Sequence, residues 1–362
     1  MKKIDSYILK KFLTTFFFCI LLMTLIVVVI DISEKTDDFV KSKLPAWKIF
    51  TDYYLAFIPR IDAMLFPLFV FIATIFFTSK MAERSEVVAI LCSGVSFRRF
   101  LLPYWIGSIL LALILWLGYH TVLPRANAAW SAFDAKYIGS SYDYTGTNAP
   151  RNYYFRIDSN TYAGIRYFDT ASKSGGNFFI QKFLNNQLVY NLRSDNIAWD
   201  TAVNKWKLTG VMERTLNEDK ETIKRQPSLA MQYNFKPRDL RRDEFLKDRL
   251  STPELNDLIR LEKLRGTEGI NALLVERYNR DSIPVSVIIL TLIGAILSSK
   301  KVRGGSGFHL AIGVIWSVLY ILFSRFSIVF ATKGSFPALL AAWTPNMIFA
   351  VLTYYFYIKA SK

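Results

Sequence analysis

The chain has 362 residues, of which 52% are hydrophobic, and its mean hydropathy of +0.23 is high for a soluble globular protein. Charged residues still make up 20% of it, which excludes a chain that is buried in lipid throughout. A net charge of +16 can indicate nucleic-acid binding. The basic residues instead cluster beside apolar runs, without a helix or strand motif of nucleic-acid recognition, so we expect no nucleic-acid partner.

Six apolar runs are almost free of charge, three of them before and three after a long polar stretch. They lie at 12–30, 61–79, 101–123, 284–299, 307–331 and 338–358. A helix needs roughly 20 residues to cross about 30 Å of hydrocarbon, and most of the runs approach or exceed that length. The sequence therefore predicts an integral membrane protein with six transmembrane helices and a water-facing insert.

Basic residues mark the predicted cytoplasmic side of the membrane. They occur in pairs beside the runs, at Lys10 and Lys11, at Arg98 and Arg99, and at Lys300 and Lys301. Because lysine and arginine in short loops stay cytoplasmic, we expect both termini and the loops 80–100 and 300–306 to lie inside the cell. Loop 31–49 and the segment 124–282 are then external. The first run is longer than the apolar core of a signal peptide, so it should remain in the membrane.

The loop 80–100 contains an amphipathic segment at about 82–93. Its apolar side chains are those of Val87, Val88, Ile90 and Leu91. Glu83 and Glu86 lie in the preceding turn, and Gly94 can end a helix in the left-handed conformation. The pattern is typical of an interfacial helix on the lipid headgroups or of a docking helix for a cytoplasmic partner, and both interpretations stay open here.

Motifs of catalysis and nucleotide binding are missing from the sequence. It contains no G-x-x-x-x-G-K-[ST] loop, no G-x-S-x-G elbow and no H-E-x-x-H helix. Its two cysteines, Cys19 and Cys92, and its two histidines, His120 and His309, do not have the spacing of metal ligands. We therefore expect no enzyme, no cofactor and no metal site, and any energy-driven work would need a separate ATPase.

Short runs with alternating or aromatic side chains recur within residues 140–235 and are separated by Ser, Asn, Asp and Gly clusters. This spacing is typical of an all-β sandwich or jelly roll. The aromatic residues would form its core, or they would line a groove for an apolar ligand. Since neither cysteine lies here, apolar burial rather than disulfides must hold the domain together.

A helical connector follows the predicted strands. Ser251 or Thr252 can act as the N-cap of a helix with Pro253 at its first position, and Leu255 begins an apolar stripe. A second helix at about 268–281 leads to Pro284 and the fourth apolar run. These helices would join the β domain to the membrane.

Several segments together resemble the LptF/LptG permease family of the lipopolysaccharide export transporter, across essentially the whole chain. The matching segments are Ile4–Phe12, Ser85–Ser96, Ala198–Trp199 with Trp206–Val211, Ser251–Leu255 and Pro337–Asn346. The segment Asp31–Phe39 resembles LptG more than LptF.

The resemblance implies a permease subunit in the bacterial inner membrane that extracts lipopolysaccharide and passes it to a periplasmic bridge. Its partners would be an LptB-like ATPase dimer, an LptF-like second permease, and LptC-like and LptA-like periplasmic proteins. It also implies that the segment at 82–93 is the coupling helix, where Glu83 and Arg84 accompany Glu86, the residue that matches the acidic position facing the ATPase.

Lipid A carries phosphates above its acyl chains, so a cavity for it needs an apolar wall topped by cations. The basic residues at about the outer interface of the first, second and fifth helices are Lys35, Lys41, Lys43, Arg60 and Arg325. We expect these residues to bind lipid phosphate. Alternatively, each extends to the headgroups, or Arg60 pairs with the nearby Asp62.

The predicted fold is an α-helical membrane protein with an inserted periplasmic all-β jelly roll. Its parts are 1–123, which holds three transmembrane helices and the coupling helix; 124–250, the jelly roll; 251–282, the helical connector; and 283–362, the last three transmembrane helices. A second interpretation is a non-transporting membrane receptor or assembly scaffold whose β domain binds a periplasmic protein.

Overall fold

We determined the fold from a computed structural model. It describes residues 3–138, 153–169, 172–185, 187–201, 203–217, 220–233, 235, 237, 246–265, 269–301 and 305–361. The chain divides into two compact units. The helical unit comprises Met1–Ile138, Lys247–Leu255 and Asn271–Lys362, and the β unit comprises Gly139–Leu246 and Asn256–Ile270.

Nine helices are formed by the described residues. They are α1 (Lys3–Ser42), α2 (Ala46–Glu83), α3 (Glu86–Cys92), α4 (Phe97–Ile138), α5 (Leu246–Arg249), α6 (Thr252–Arg265), α7 (Ile270–Ser298), α8 (Gly305–Lys333) and α9 (Ala338–Ser361). Six of them, α1, α2, α4, α7, α8 and α9, are long and apolar enough to cross a membrane. The six-helix membrane fold with an inserted β domain is therefore confirmed.

Several membrane helices are longer than the apolar runs that predicted them. Helix α1 continues past residue 30 to Ser42, where Lys43 adopts a left-handed φ of 53° and Pro45 follows. Hydropathy detects only the part of a helix that lies in hydrocarbon, whereas the hydrogen-bonded backbone continues until such a break. The polar segment 31–42 is consequently helical.

The third membrane helix also continues beyond the apolar run. The predicted boundary of the β domain at 124 falls inside α4, which reaches Ile138. Pro124 has no N–H to donate, and a π-helical turn at Gly118–Val122 directly precedes it and absorbs the irregularity. Residues 124–138 therefore belong to the helical unit.

The predicted connector helices differ from the structure in one respect. Helix α6 begins where expected, and the Glu254 carboxylate accepts hydrogen bonds from the backbone N–H and the hydroxyl of Ser251. These bonds hold the pKa of Glu254 below its usual value. The second connector helix, predicted at 268–281, is instead the first part of α7, which runs through Pro284 into the fourth apolar run without interruption.

The helical unit packs closely around aromatic side chains. Phe12 and Tyr104 are fully buried, and the Tyr104 hydroxyl lies 2.8 Å from that of Thr78. A Cβ on Gly107 would lie 2.8 Å from the Phe12 ring, so only glycine lets α1 and α4 approach this closely. Helix α7 is the most buried of the six membrane helices, because 72% of the residues in its most apolar stretch are buried. Its Gly294 faces Phe71 and Ile75 of α2.

Six antiparallel strands form the sheet of the β unit. They are β1 (Tyr153–Asp158), β2 (Thr161–Asp169), β3 (Ser174–Leu184), β4 (Gln187–Asp200), β5 (Lys205–Asn217) and β6 (Lys220–Met231), and they pair in sequential order. The predicted all-β domain is confirmed. Among the described strands, neighbours in sequence are neighbours in the sheet, without the crossover connections that define a jelly roll in the strict sense.

A line of interrupted pairing crosses five of these strands. Arg166, Asn177, Asp195, Gly210 and Pro227 stand opposite one another on β2 to β6, and the pairing omits each of them. Gly210 adopts a φ of 66°, and a Cβ there would collide with the Asp195 carboxylate. We call this row of five residues the crease.

Aromatic residues form the core of the β unit, as one of the two sequence interpretations expected. Trp206 is fully buried and donates a hydrogen bond from Nε1 to the carbonyl oxygen of Phe235 over 2.9 Å. Phe168 and Phe178 also lie in this cluster. The chain after β6 therefore folds back over the sheet and closes its apolar face.

Replacing Trp206 by alanine should strongly destabilise the β unit, because it removes a buried indole and its hydrogen bond. Such core truncations cost about 3–5 kcal/mol. The measurement is thermal unfolding of the detergent-solubilised protein, followed by the β-sheet signal in circular dichroism. Val203→Ala is the control, since Val203 is 59% exposed and should change little. Equal unfolding temperatures of the two variants would contradict this core.

Candidate functional site

One end of the helical unit presents a tight turn between α2 and α3. Glu83 is the last residue of α2, Arg84 follows it, and Ser85 adopts a left-handed φ of 61° before Glu86 starts α3. The structure thus brings the three residues Glu83, Arg84 and Glu86 together in a single turn. The observed helix is shorter than the predicted 82–93, because residues 82–83 still belong to α2.

Helix α3 is fastened to the helical unit by its apolar side. Val87 is buried, and Ile90 and Leu91 pack against the main apolar cluster. The sequence placed Val88 on the same face, yet it is 47% exposed, because successive residues of a helix differ by about 100° around its axis and Val87 is the one that faces the protein.

Contacts from two other segments hold this turn in place. The Tyr7 hydroxyl on α1 donates a hydrogen bond to a Glu86 carboxylate oxygen over 3.3 Å. The Lys301 ammonium, just after α7, donates to the Ser85 hydroxyl over 3.1 Å. Glu83 and Arg84 are exposed. The turn is therefore positioned by α1 and α7 while its charged side chains remain accessible.

The opposite end of the helical unit holds a network of buried polar groups around Asp31. The carboxylate accepts hydrogen bonds from the hydroxyls of Tyr53 and Tyr54, each over 3.1 Å. The Lys35 ammonium lies 3.5 Å from the same carboxylate and donates to the Tyr53 hydroxyl. Asp31 is only 8% exposed, so these three donors replace the water that its charge would otherwise require.

Trp130 on α4 brings two of the predicted phosphate ligands together. The Arg60 guanidinium lies 3.7 Å from the centroid of the Trp130 ring, and the Lys35 ammonium lies 5.7 Å from it. Cations at these distances are attracted to the indole face. Asp62, considered as a partner of Arg60, accepts a hydrogen bond from the Thr24 hydroxyl over 2.7 Å. Lys35 and Arg60 therefore share one half-buried cationic site.

The other three predicted ligands lie elsewhere. The Lys41 side chain is 77% exposed and stands 4.0 Å from Asp38, and Lys43 is exposed in the turn after α1. Arg325 is exposed on α8. The structure thus joins Lys35 with Arg60, leaves Lys41 and Lys43 on the neighbouring surface, and places Arg325 on a separate helix.

Sequence reasoning did not identify the residues that support this cationic site. Asp31 could have been found, because it lies four residues before Lys35 on a helix, a spacing typical of ion pairs. Tyr53, Tyr54 and Trp130 come from other helices, and no local pattern marks them. Their contribution is visible only in the folded chain.

The comparison with protein families decides the identity of the chain. The model of the family described as "Lipopolysaccharide export system permease LptF/LptG" matches residues 6–359. The chain belongs to the LptF/LptG family. Among curated proteins, no sequence match was found. As a member of this family with six membrane helices, the chain is a multi-pass inner-membrane permease of lipopolysaccharide export.

The Asp31 network should stabilise this LptF/LptG family member. Asp31→Ala removes the acceptor of two tyrosine hydroxyls and the partner of Lys35, and unsatisfied buried polar groups cost about 1–3 kcal/mol. The expected result is a lower thermal unfolding temperature in detergent. Asp38→Ala is the control, because its side chain is 36% exposed and only its contact with Lys41 is lost. An unfolding temperature unchanged by Asp31→Ala would contradict the network.

Proposed function

We propose that this chain is one half of an ABC transporter for lipopolysaccharide and that it is LptG-like rather than LptF-like. It pairs with an LptF-like permease, binds an LptB-like ATPase dimer, and passes lipopolysaccharide to LptC-like and LptA-like proteins. Family membership supports the substrate, and the segment Asp31–Phe39 supports the LptG-like assignment. The ATPase supplies the energy, because the sequence has no nucleotide-binding loop.

Arg325 is the observation that carries the half-transporter proposal. It lies eight residues before the end of α8, about 12 Å along the helix, among the exposed apolar side chains of Leu322, Phe326 and Val329. Among the described residues it has no ion pair or hydrogen bond. An arginine facing lipid tails costs at least about 2.5 kcal/mol, so membrane arginines face cavities or other proteins. A second subunit encloses this surface.

The cations at the Asp31 end of the helical unit form the lipid-phosphate site in this proposal. Lys35 and Arg60 provide a pre-organised pair on Trp130, and Lys41 and Lys43 add accessible charge beside it. Arg325 contributes from the fifth membrane helix. Phosphate oxygens that bind these cations form charge-assisted hydrogen bonds, while the acyl chains contact the apolar helix surfaces.

The turn at Glu83–Glu86 is the proposed contact with the ATPase. Glu86 and Arg84 offer charges, and Val88 offers an exposed apolar side chain next to them. With both termini and this turn in the cytoplasm, the β unit is periplasmic, as the distribution of basic residues supports. Energy input and lipid hand-off are then on opposite sides of the membrane.

Glu86→Lys should weaken the binding of the ATPase to this chain. Removing one partner of an interfacial charge pair costs about 2–5 kcal/mol, so at least a tenfold loss of co-purified ATPase is expected, together with a loss of export. Asp257→Lys is the matched control, because Asp257 is an exposed carboxylate on α6. Tyr7→Phe separates the local contact from the interface, since it removes only the hydrogen bond to Glu86. Retained co-purification and export in Glu86→Lys would refute the coupling role.

Photo-crosslinkers placed at positions 41, 60 and 325 should capture lipopolysaccharide in cells, because these positions surround the proposed cavity. Position 351 is the control, since Val351 is 69% exposed on α9 and should contact bulk phospholipid. The measurement is an immunoblot for lipopolysaccharide on the purified protein. If none of the three positions captured more lipopolysaccharide than position 351, the lipid-phosphate assignment would be wrong.

A further inference from the structure

Arg280 is a fully buried arginine in the first part of α7, with a relative exposure of 1%. Its guanidinium donates to the carbonyl oxygens of Lys247 and Leu250 over 3.0 Å and 2.9 Å, and to the Thr252 hydroxyl over 3.0 Å. It also lies 3.4 Å from a carboxylate oxygen of Glu276, one turn earlier on α7. All these partners except Glu276 belong to one short stretch, Lys247–Thr252, which we call the clamp segment.

The clamp segment is also attached to α4. The side-chain amide of Asn127 donates to the carbonyl oxygen of Asp248 over 2.9 Å. Arg249 donates to the Ser131 hydroxyl over 3.1 Å. Partial burial raises the pKa of the Asp248 carboxyl. Two membrane helices therefore hold the segment that follows the strands of the β unit in the chain.

Helix α7 connects this junction to the proposed ATPase contact. From Arg280 to its end at Ser298 the helix is about 27 Å long, and it is the most buried of the membrane helices. Lys301, three residues later, donates to Ser85 in the turn before α3. Pro284 has no N–H to bond the carbonyl oxygen of Arg280, but α7 stays helical across it, and its closely packed buried side chains transmit a shift at one end to the other.

We propose that Arg280 is a positioning residue that fastens the clamp segment to α7, so that movement of α7 driven at the Ser85 turn reaches the chain leaving the β unit. This inference rests on the proposed coupling of an ATPase to lipid export. Arginine suits the role because its planar group reaches three acceptors of the clamp segment at once, whereas lysine has a single ammonium group.

The test uses the whole complex, with its ATPase and second permease, reconstituted in vesicles containing lipopolysaccharide. Arg280→Lys and Arg280→Gln should keep the ATPase bound and its basal hydrolysis rate within about twofold, while ATP-driven transfer of lipopolysaccharide to a soluble periplasmic acceptor falls at least tenfold, or about 1.4 kcal/mol. Arg277→Lys, one turn earlier, is the control, because Arg277 pairs with Asp281 on its own helix and should retain transfer.

A reducible crosslink distinguishes loss of the attachment between the clamp segment and α7 from a general loss of structure. Leu250→Cys and Arg280→Cys, in a background with Cys19→Ser and Cys92→Ser, allow a short reducible bis-thiosulfonate reagent to span the gap that the arginine normally fills. Transfer should be restored by the crosslinker and lost again on reduction.

Three results would overturn the inference. The first is unchanged transfer in both Arg280 variants, and the second is failure of the crosslink to restore transfer in an assembled complex. Variants that do not assemble at all would assign Arg280 to folding alone and would also overturn it. A wild-type complex that hydrolyses ATP without transferring lipid would instead refute the proposed function.

Discussion

The structure depends on one constraint: a charge on a membrane helix must be given partners by protein, because hydrocarbon offers none. Asp5 is buried against Arg99, Asp31 against Lys35 and two tyrosines, and Arg280 against backbone carbonyls. Each of these sites ties together helices that are distant in sequence. The buried charges thus fix the arrangement of the helices as much as the apolar side chains do. Arg325 departs from this rule within the described chain, and in the proposed half-transporter the second subunit would supply its surroundings.

The polar groups are concentrated at the two ends of the helical unit, while its middle is apolar and aromatic. One end holds the exposed charges of the Glu83–Glu86 turn, and the other holds the cations on Trp130. Helix α7 reaches both, because Lys301 contacts Ser85 and Arg280 contacts the clamp segment. This arrangement suits the proposed function, in which the lipid headgroup would be bound far from the protein that supplies energy.

Much of the fold could be predicted from the sequence, since long uncharged runs have few alternatives to membrane helices and alternating runs between turn residues favour strands. The ends of the elements could not, because α1 continues into polar sequence as far as Ser42 and α4 continues beyond Pro124. For the candidate site, the sequence identified the basic residues but not the residues that pack around them. Whether Lys35 is accessible depends on Asp31, Tyr53 and Trp130, which meet only when three helices pack together.

The crease gives the β unit a mechanical property that strand order alone would not reveal. In a regular antiparallel ladder the hydrogen bonds alternate evenly along the strands, whereas here pairs are missing at the same level in five neighbouring strands, β2 to β6. On β4, the Ser194 hydroxyl donates to the carbonyl oxygens of Asn196 and Thr209, which gives two backbone acceptors beside the gap a partner. The crease therefore divides these strands into two parts that each keep their own hydrogen-bonded pairs. Any bending of the sheet would be concentrated along this single row of residues.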